Sequence, residues 1–283
     1  MADFPVEPAS LDDVRTIARR RSFDEAGIRF ALESAERGTA WVARDAGESI
    51  GVAIAHDGEG ERYVGDLYVE PSYRGRGLGR DLLGEALRDC DERARVLLVD
   101  PADSAGMALA LRQRLSLRDS LLRLAGAIPK EEELAKMAAG DYRFGVEPID
   151  AAAHAFGLGG LDREARGAVR DADHADFSLR ATGNAFFLNG EFVAYTYVWP
   201  DGRVGPIACA SQSYIVQILA HALLTLTRRY GASWCSALVP GSNLRVARAA
   251  MRAGLRIVQS FTIASDASAM DLSAYVAGHT LTL

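Results

Sequence analysis

Apolar residues recur along this chain at two periods, and segments of each kind alternate. Leu78, Leu82, Leu83, Ala86, Leu87 and Cys90 fall on one stripe of a helical repeat, which predicts an amphipathic helix burying that stripe against a sheet. Short apolar runs bounded by turn residues come before it. Pro5–Ala9 reads as a strand, and Ala40–Arg44, Ser49–His56 and Arg62–Val69 read as a three-strand meander. Leu11–Arg20 and Asp24–Arg37 read as helices, the first with Ser10 as its N-cap. After the stripe come a strand at Arg95–Asp100, a helix at Ala105–Arg114 and a strand at Arg118–Leu124. The alternation predicts an α/β sandwich on a mixed, mostly antiparallel twisted sheet flanked by helices.

The pattern then returns. Phe4-Pro5-Val6-Glu7-Pro8 matches Phe144-Gly145-Val146-Glu147-Pro148, 140 positions later. Trp41-Val42-Ala43 and the hairpin turn at Gly47-Glu48 match Phe186-Phe187-Leu188 and Gly190-Glu191. Gly65-Asp66-Leu67-Tyr68-Val69 matches Gly205-Pro206-Ile207-Ala208-Cys209. One repeat at this period implies two duplicated domains rather than a solenoid. The predicted division is a first domain at 1–128, a linker helix at 129–140 and a second domain at 141–283. Pro129 suits the first helical position of the linker, and Glu131, Glu132 and Glu133 suit its positive end.

The predicted helix at Leu78 is preceded by Arg74-Gly75-Arg76-Gly77-Leu78-Gly79-Arg80. First-turn amides of a helix have no partner within the helix, and together with the helix dipole they form a seat for an anion. Glycine admits an anion where a Cβ would collide, and arginine guanidinium groups grip phosphate oxygens in pairs. The spacing is neither the Gly-x-Gly-x-x-Gly of dinucleotide folds nor the Gly-Lys-Ser/Thr of a P-loop. A tight strand-to-helix turn carrying solvated arginines would account for the same residues.

The segment Leu67-Tyr68-Val69-Glu70-Pro71, followed by Arg74, Gly77 and Gly79, resembles the acetyl-CoA signature of the GNAT N-acetyltransferase superfamily. That signature is Arg/Gln-x-x-Gly-x-Gly/Ala, placed after a strand of the type Leu-x-Val-x-Pro. The resemblance implies that the strand splays from its neighbour and leaves backbone groups at Leu67 and Val69 free for the pantetheine arm of acetyl-CoA. Arg74, Gly75, Arg76, Gly77, Leu78, Gly79 and Arg80 would then hold the pyrophosphate. With the duplication, the chain resembles tandem GNAT proteins in which one half works. Aligning Tyr73 with Tyr214 puts Ile215, Val216, Gln217, Ile218, Leu219 and Ala220 where the first copy has Arg74–Gly79. The glycines and arginines are gone, so the C-terminal copy reads as degenerate.

Acetyl transfer needs a base for the acceptor ammonium, and the acids on the strand, Glu70 and Asp66, are the candidates. Asp66 and Tyr68 share a face of that strand. Many GNAT enzymes carry a tyrosine as acid for the CoA thiolate on the helix after the fifth strand. The corresponding positions here, near Arg112 and Ala250, hold no tyrosine. The expected function is an acetyl-CoA-dependent N-acetyltransferase acting on a primary amine of a small molecule or peptide. The alternative is an acyl-CoA-binding regulatory protein with little or no transferase activity.

Composition narrows the remaining classes. A net charge of −6 argues against nucleic acid as a partner. Cys90, Cys209 and Cys235 show no pairing motif, and the five histidines lack metal-ligand spacing, so no metal is expected. Neither a signal segment nor a run long enough for a membrane span is visible, which leads to the expectation of a cytoplasmic monomer or homodimer. Tyr195 and Tyr197 read as sheet packing or cleft lining, and Trp41, Trp199 and Trp234 as core or interface residues.

Overall fold

The computed structural model describes residues 4–23, 25–58, 60–90, 93–266 and 270–279. The predicted helix start at Asp24 lies outside them. The chain divides into two compact units. The first takes the residues up to Arg118 together with Ile263–Asp266, and the second takes Asp119–Thr262 and the described residues after Asp266.

The first unit contains β1 (Val6–Pro8), α1 (Leu11–Arg20), α2 (Glu25–Arg37), β2 (Thr39–Asp45), β3 (Glu48–Gly58), β4 (Glu61–Val69), α3 (Leu78–Ala86), β5 (Ala94–Val99) and α4 (Ser104–Arg112). The strands lie in sequence order, antiparallel from β1 to β4 and parallel between β4 and β5. Side chains alternate across the sheet. Val52 and Ile54 of β3 pack with Val14, Ile17 and Ala31 of α1 and α2, while Ala53 and Ala55 pack with Leu78, Leu82 and Leu83 of α3. The helix predicted from the apolar stripe therefore forms as expected but stops at Ala86. Arg62, buried on β4, ends it by donating to the carbonyls of Ala86 (3.3 Å) and Arg88 (2.8 Å) while gripping Asp57 at 2.6 and 2.7 Å. A cation at a helix C-terminus satisfies orphan carbonyls and opposes the negative end of the dipole. Cys90 lies beyond the helix and remains buried.

Ser10 and Asp13 form a capping box at the start of α1. Asp13 is 6 % exposed and also accepts from Ser49 of β3 (2.6 Å) and Arg44 of β2 (2.8 Å), which fixes α1 against the sheet. Burial alone would raise its pKa; the hydrogen bonds from Ser49, Ser10 and Arg44 outweigh burial and hold it at about 2.

The second unit repeats the plan. It runs through β6 (Ser116–Ala127, from Asp119 on), α5 (Glu131–Ala139), β7 (Gly145–Pro148), α6 (Ala155–Arg166), α7 (Asp171–Arg180), β8 (Thr182–Leu188), β9 (Glu191–Val198), β10 (Arg203–Cys209), α8 (Ile215–Tyr230), β11 (Trp234–Pro240), α9 (Leu244–Arg252), β12 (Arg256–Ser265) and β13 (Tyr275–Val276). Its strand order is β12-β6-β11-β10-β9-β8-β7, with β13 on β10. The strand expected to close the first domain thus lies beside β11, paired antiparallel from Trp234↔Ala127 to Pro240↔Leu121. A repeat in sequence gives strand order but no pairing partner, which is why the compact units divide after Arg118 rather than near 128. The segment read as a linker is α5, and its Leu134 and Ala138 belong to the second unit's core. Tyr195 and Tyr197 are buried in that unit, and Trp199 with them, whereas Trp234 is 49 % exposed.

Asp13→Asn should destabilise the protein by about 2 kcal/mol at pH 7, the equivalent of a carboxyl moved from 3.8 to about 2. The Asp13 contribution is fully present above the unfolded pKa and is lost as pH falls through the folded one. Urea denaturation of wild type and variant at stepped pH should show the gap closing between about pH 4 and pH 2.

Candidate functional site

β4 carries the site because it pairs fully on one side only. Its parallel ladder with β5 runs from Glu61↔Ala94 to Val64↔Leu97 and stops. β4 continues to Val69, and β3 follows it throughout, with a register shift where Gly65 is inserted. Asp66–Val69 therefore have ladder partners on the β3 side alone, and the inserted Gly65 has none on either side, among the described residues. A strand that splays from its neighbour in this way leaves main-chain donors and acceptors open to a guest.

The turn after β4 supplies a second run of open groups. Glu70 N donates to Ile50 O, Tyr73 N to Glu70 O and Arg74 N to Pro71 O. The next bonded amides are Arg80 N and Asp81 N, both onto Gly77 O. Between them the N–H groups of Gly75, Arg76, Gly77, Leu78 and Gly79 have no partner among the described residues. Gly75 (φ +77°) and Gly77 (φ +95°) adopt the left-handed region, which favours glycine, and Gly77 is the N-cap of α3. Consecutive amides in such a turn make an anion-binding concavity at the positive end of a helix. A Cβ on Gly75 would meet nothing within 4 Å, so open space lies beside that residue.

Arginines surround this seat and aromatic residues brace it. Arg74 Nε donates to Val69 O (2.9 Å), joining the turn to the end of the strand. Arg76 lies over the Tyr73 ring at 5.2 Å, Tyr73 OH donates to Asp45 of β2 (2.8 Å), and Phe4 meets Tyr73 edge to face at 5.6 Å. Arg80 pairs with Asp81 at 2.9 Å. Leu67, Val69 and Leu78 pack into the cluster on the α3 face, and the Cβ position of Gly79 lies 3.8 Å from Val69. The seat and the splayed strand are thus one continuous feature. All seven turn residues and both strand residues predicted for cofactor binding lie along it.

The two candidate acids differ. On the opposite face of β4, Glu70 Oε2 accepts from Tyr68 OH (3.2 Å), and Glu70 Oε1 is buried without a hydrogen-bond partner, 3.8 Å from Arg20. Burial first, then the charge of Glu70, raises the Tyr68 pKa and keeps the phenol protonated as a donor. Asp66 is instead committed to Arg21, at 2.6 Å. Arg21 and Phe23 were invisible to sequence reasoning, because a contact spanning 45 positions leaves no local pattern. No tyrosine lies on α4. Among the described residues no group of His, Cys, Asp or Glu could hold a metal ion, and no helix is long and apolar enough to cross a membrane.

In the second unit the chain itself fills both corresponding features. α8 begins at Ile215, directly after the turn at Tyr214, so the residues aligned with the glycine turn are helical. Gln217, on that first turn, accepts from Tyr142 N and donates to Ala138 O and Tyr142 O, both at 2.8 Å. The β10–β11 ladder stops at Val204↔Ala237, but β13 enters the gap beyond. Ile207 and Ala208 pair with Val276 and Tyr275, and Ala277 N donates to Leu238 O at 2.8 Å. Tyr275 is anchored by Asn243 and by the buried Arg170, which also pairs with Asp162; His174 and Tyr195 complete the bonds to Asp162. Gly205 (φ +128°) makes room, since a Cβ there would lie 2.3 Å from Ala277 O.

Comparison with known proteins agrees with this geometry. Residues 9–113 match the model of the acetyltransferase (GNAT) family. Among solved structures, a candidate acetyltransferase from Pyrococcus horikoshii aligns with 100 % of this chain and 97 % of its own, at 16 % identity and a TM-score of 0.72. A GCN5-related N-acetyltransferase from Sphaerobacter thermophilus aligns over 96 % and 98 %, at 15 % identity and 0.66. A tandem GNAT protein from the clavulanic acid biosynthesis pathway aligns over 93 % and 98 %, at 16 % and 0.57. At these identities the likeness is one of fold. A search of the curated proteins finds no sequence match.

Gly77→Ala should destabilise the protein by about 1–2 kcal/mol, the cost of a left-handed non-glycine residue. Gly79→Ala should cause no loss, because its Cβ would meet Leu109 and Val69 at the ordinary contact distances of 3.6 and 3.8 Å. Chemical denaturation of the two variants beside wild type checks both expectations.

Proposed function

We propose, from a first unit that is a GNAT-family domain, that this chain is an acetyl-CoA-dependent N-acetyltransferase acting on a primary amine of a small molecule or peptide. The observation that carries the reading is the run of five open amides from Gly75 to Gly79 at the end of a strand whose second edge is bare. The seat suits a pyrophosphate: amides and the helix terminus bind the charge, and Arg74, Arg76 and Arg80 add solvated cations around it. The bare edge over Gly65–Val69 suits the amide-bearing pantetheine arm. When bound, acetyl-CoA supplies an acetyl group already activated as a thioester. The protein's part is to position the two reactants, remove a proton from the acceptor ammonium and offer a main-chain donor where negative charge develops.

Glu70 is the better placed of the two candidates. One of its oxygens is held by Tyr68, and the other makes no hydrogen bond and faces Arg20 at 3.8 Å, so it keeps an acceptor position for an incoming ammonium. Asp66 is already hydrogen-bonded to Arg21 at 2.6 Å. The lack of a tyrosine on α4 favours a second reading, an acyl-CoA-binding regulatory protein with little or no transferase activity.

Calorimetric titration should find one acetyl-CoA per chain, and Gly77→Trp should abolish the binding. No heat with wild type at about 1 mM ligand overturns the reading. Glu70→Gln should leave acetyl-CoA affinity unchanged and lower kcat by about 10²–10³-fold across a panel of amines followed by thiol release. Tight binding with only slow hydrolysis across that panel supports the regulatory reading instead.

A further inference from the structure

Beside the proposed base, the first unit already binds a cation, and that cation is its own. Arg21, at the C-cap of α1, lies between two aromatic faces: its guanidinium carbon is 4.5 Å from the Phe23 ring centroid and 4.8 Å from that of Tyr68. Its Nη1 donates to Asp66 Oδ2 at 2.6 Å. A carboxylate with aromatic faces around it is a recognition site for an ammonium or a guanidinium. The negative end of the α1 dipole adds to the attraction.

Three features separate this arrangement from a structural ion pair. First, among the described residues the Arg21 side chain makes one hydrogen bond although a guanidinium carries five N–H donors, so within them it under-uses its own geometry. The structural arginine of the same unit, Arg62, makes four. Second, the pair is reachable: the side chains of Arg21 and Asp66 are 23 % and 15 % exposed, against 10 % for Arg62. Third, Tyr68 belongs to both sites, stacking on Arg21 while donating to Glu70 at 3.2 Å, so a cation held there lies next to the proposed base. The charges facing this end of β4 are Arg20, Arg21, Arg74, Glu48, Asp66 and Glu70, with Arg74 5.9 Å from the Tyr68 ring centroid. With Arg21 swung out, three acids face two arginines.

We infer that Arg21 occupies the acceptor's recognition site as a self-ligand, and that the acceptor is a linear amine bearing a second cation, ammonium or guanidinium. The second cation displaces Arg21 between Phe23 and Tyr68 and pairs with Asp66, while the reacting amine reaches Glu70. Asp66 and Glu70 are four residues apart on the strand side of one turn, so the two cationic groups are separated by up to about 13 Å at 3.3 Å per residue. Arg21 is then a specificity-determining residue: a ligand with one charge gains too little to displace it. This inference rests on the transferase reading for the role of Glu70, but the cation site itself binds without acetyl-CoA.

The test is calorimetric titration of the full-length protein with spermidine, butylamine and glutamate, with no acetyl-CoA present. An internal occupant that fills the site about nine-tenths of the time weakens apparent affinity about tenfold. Arg21→Met should therefore bind spermidine about tenfold more tightly than wild type, with a smaller gain for butylamine and none for glutamate. Arg21→Met combined with Asp66→Asn should lose the gain. Spermidine binding that is unchanged or weaker in Arg21→Met, or an equal gain for glutamate, overturns the inference. If Arg21→Met does not fold, Arg21→Lys carries the test: an ammonium lacks the planar stack, so a gain of about threefold is expected, and no gain overturns the inference. Failure of acetyl-CoA to bind wild type would overturn the transferase reading and leave these binding results standing.

Discussion

The first unit is organised around main-chain groups that are kept from pairing. β4 must lose its neighbour after Val64, and the chain must then turn into α3 without bonding five consecutive amides. Both demands run against the general rule that backbone polar groups find partners, so both need support from elsewhere. Gly75 and Gly77 supply the left-handed backbone the turn requires. Arg62 fixes the far end of α3 to the strand that precedes it, and Asp13 fixes α1 to β2 and β3 on the opposite face. Tyr73, between Phe4 and Asp45, holds the turn from the side. The amides from Gly75 to Gly79 stay open among the described residues, while Arg62, Asp13 and Tyr73 around them are hydrogen-bonded.

The second unit shows what the same plan does when that demand is dropped. Its strand also parts from its parallel neighbour, with a register shift at Gly205-Pro206, yet every open feature is closed from within. β13 restores the missing ladder, and Gln217 ties the first turn of α8 to the connection between α5 and β7. A buried network of Asp162, Arg170, His174, Tyr195 and Tyr275 secures the added strand. Burial would raise the Asp162 pKa, but Arg170 and His174 overcome that and hold it at about 2. Such a network is costly to break because removing one member strands a buried charge. The two halves thus use polar groups differently: one leaves main-chain donors open, and the other commits side chains to sealing the equivalent gap.

What could be read from the sequence was local. The stripe from Leu78, the capping by Ser10 and the glycine turn are each written within a few positions, and they form as read except that the helix stops at Ala86, short of Leu87 and Cys90. The loss of the seat in the second copy was legible too, because bulky residues at 215–219 cannot leave an open turn. Contacts between distant segments were not legible. Nothing near Tyr275 signals that it will enter a gap after Val204, and nothing near Asp66 points to Arg21. The last strand of each repeat shows the limit most plainly. β6 has the alternation of a strand, but alternation does not say which edge it will join, and the edge it joins is β11. Trp234, read by type as a core or interface residue, is half exposed at the start of β11 and so is not part of the core.

The splay also explains why the acids of β4 take different partners although they share a face. A strand paired on both edges would fix the backbone at Asp66 and Glu70 alike. Here the backbone is held by β3 alone from Asp66 onward, and the side chains on the α1 face take over part of the positioning. Arg21 bonds Asp66 and stacks on Tyr68, Tyr68 bonds Glu70, and Arg20 bonds Ser49 O on the neighbouring strand while facing Glu70. Each contact depends on the one before it, so the orientation of Glu70 is set by a chain of side chains that begins at the end of α1. A ligand that moves Arg21 therefore acts on the same tyrosine that bonds Glu70, so in the proposed function recognition and proton removal would share one side chain rather than two independent sites.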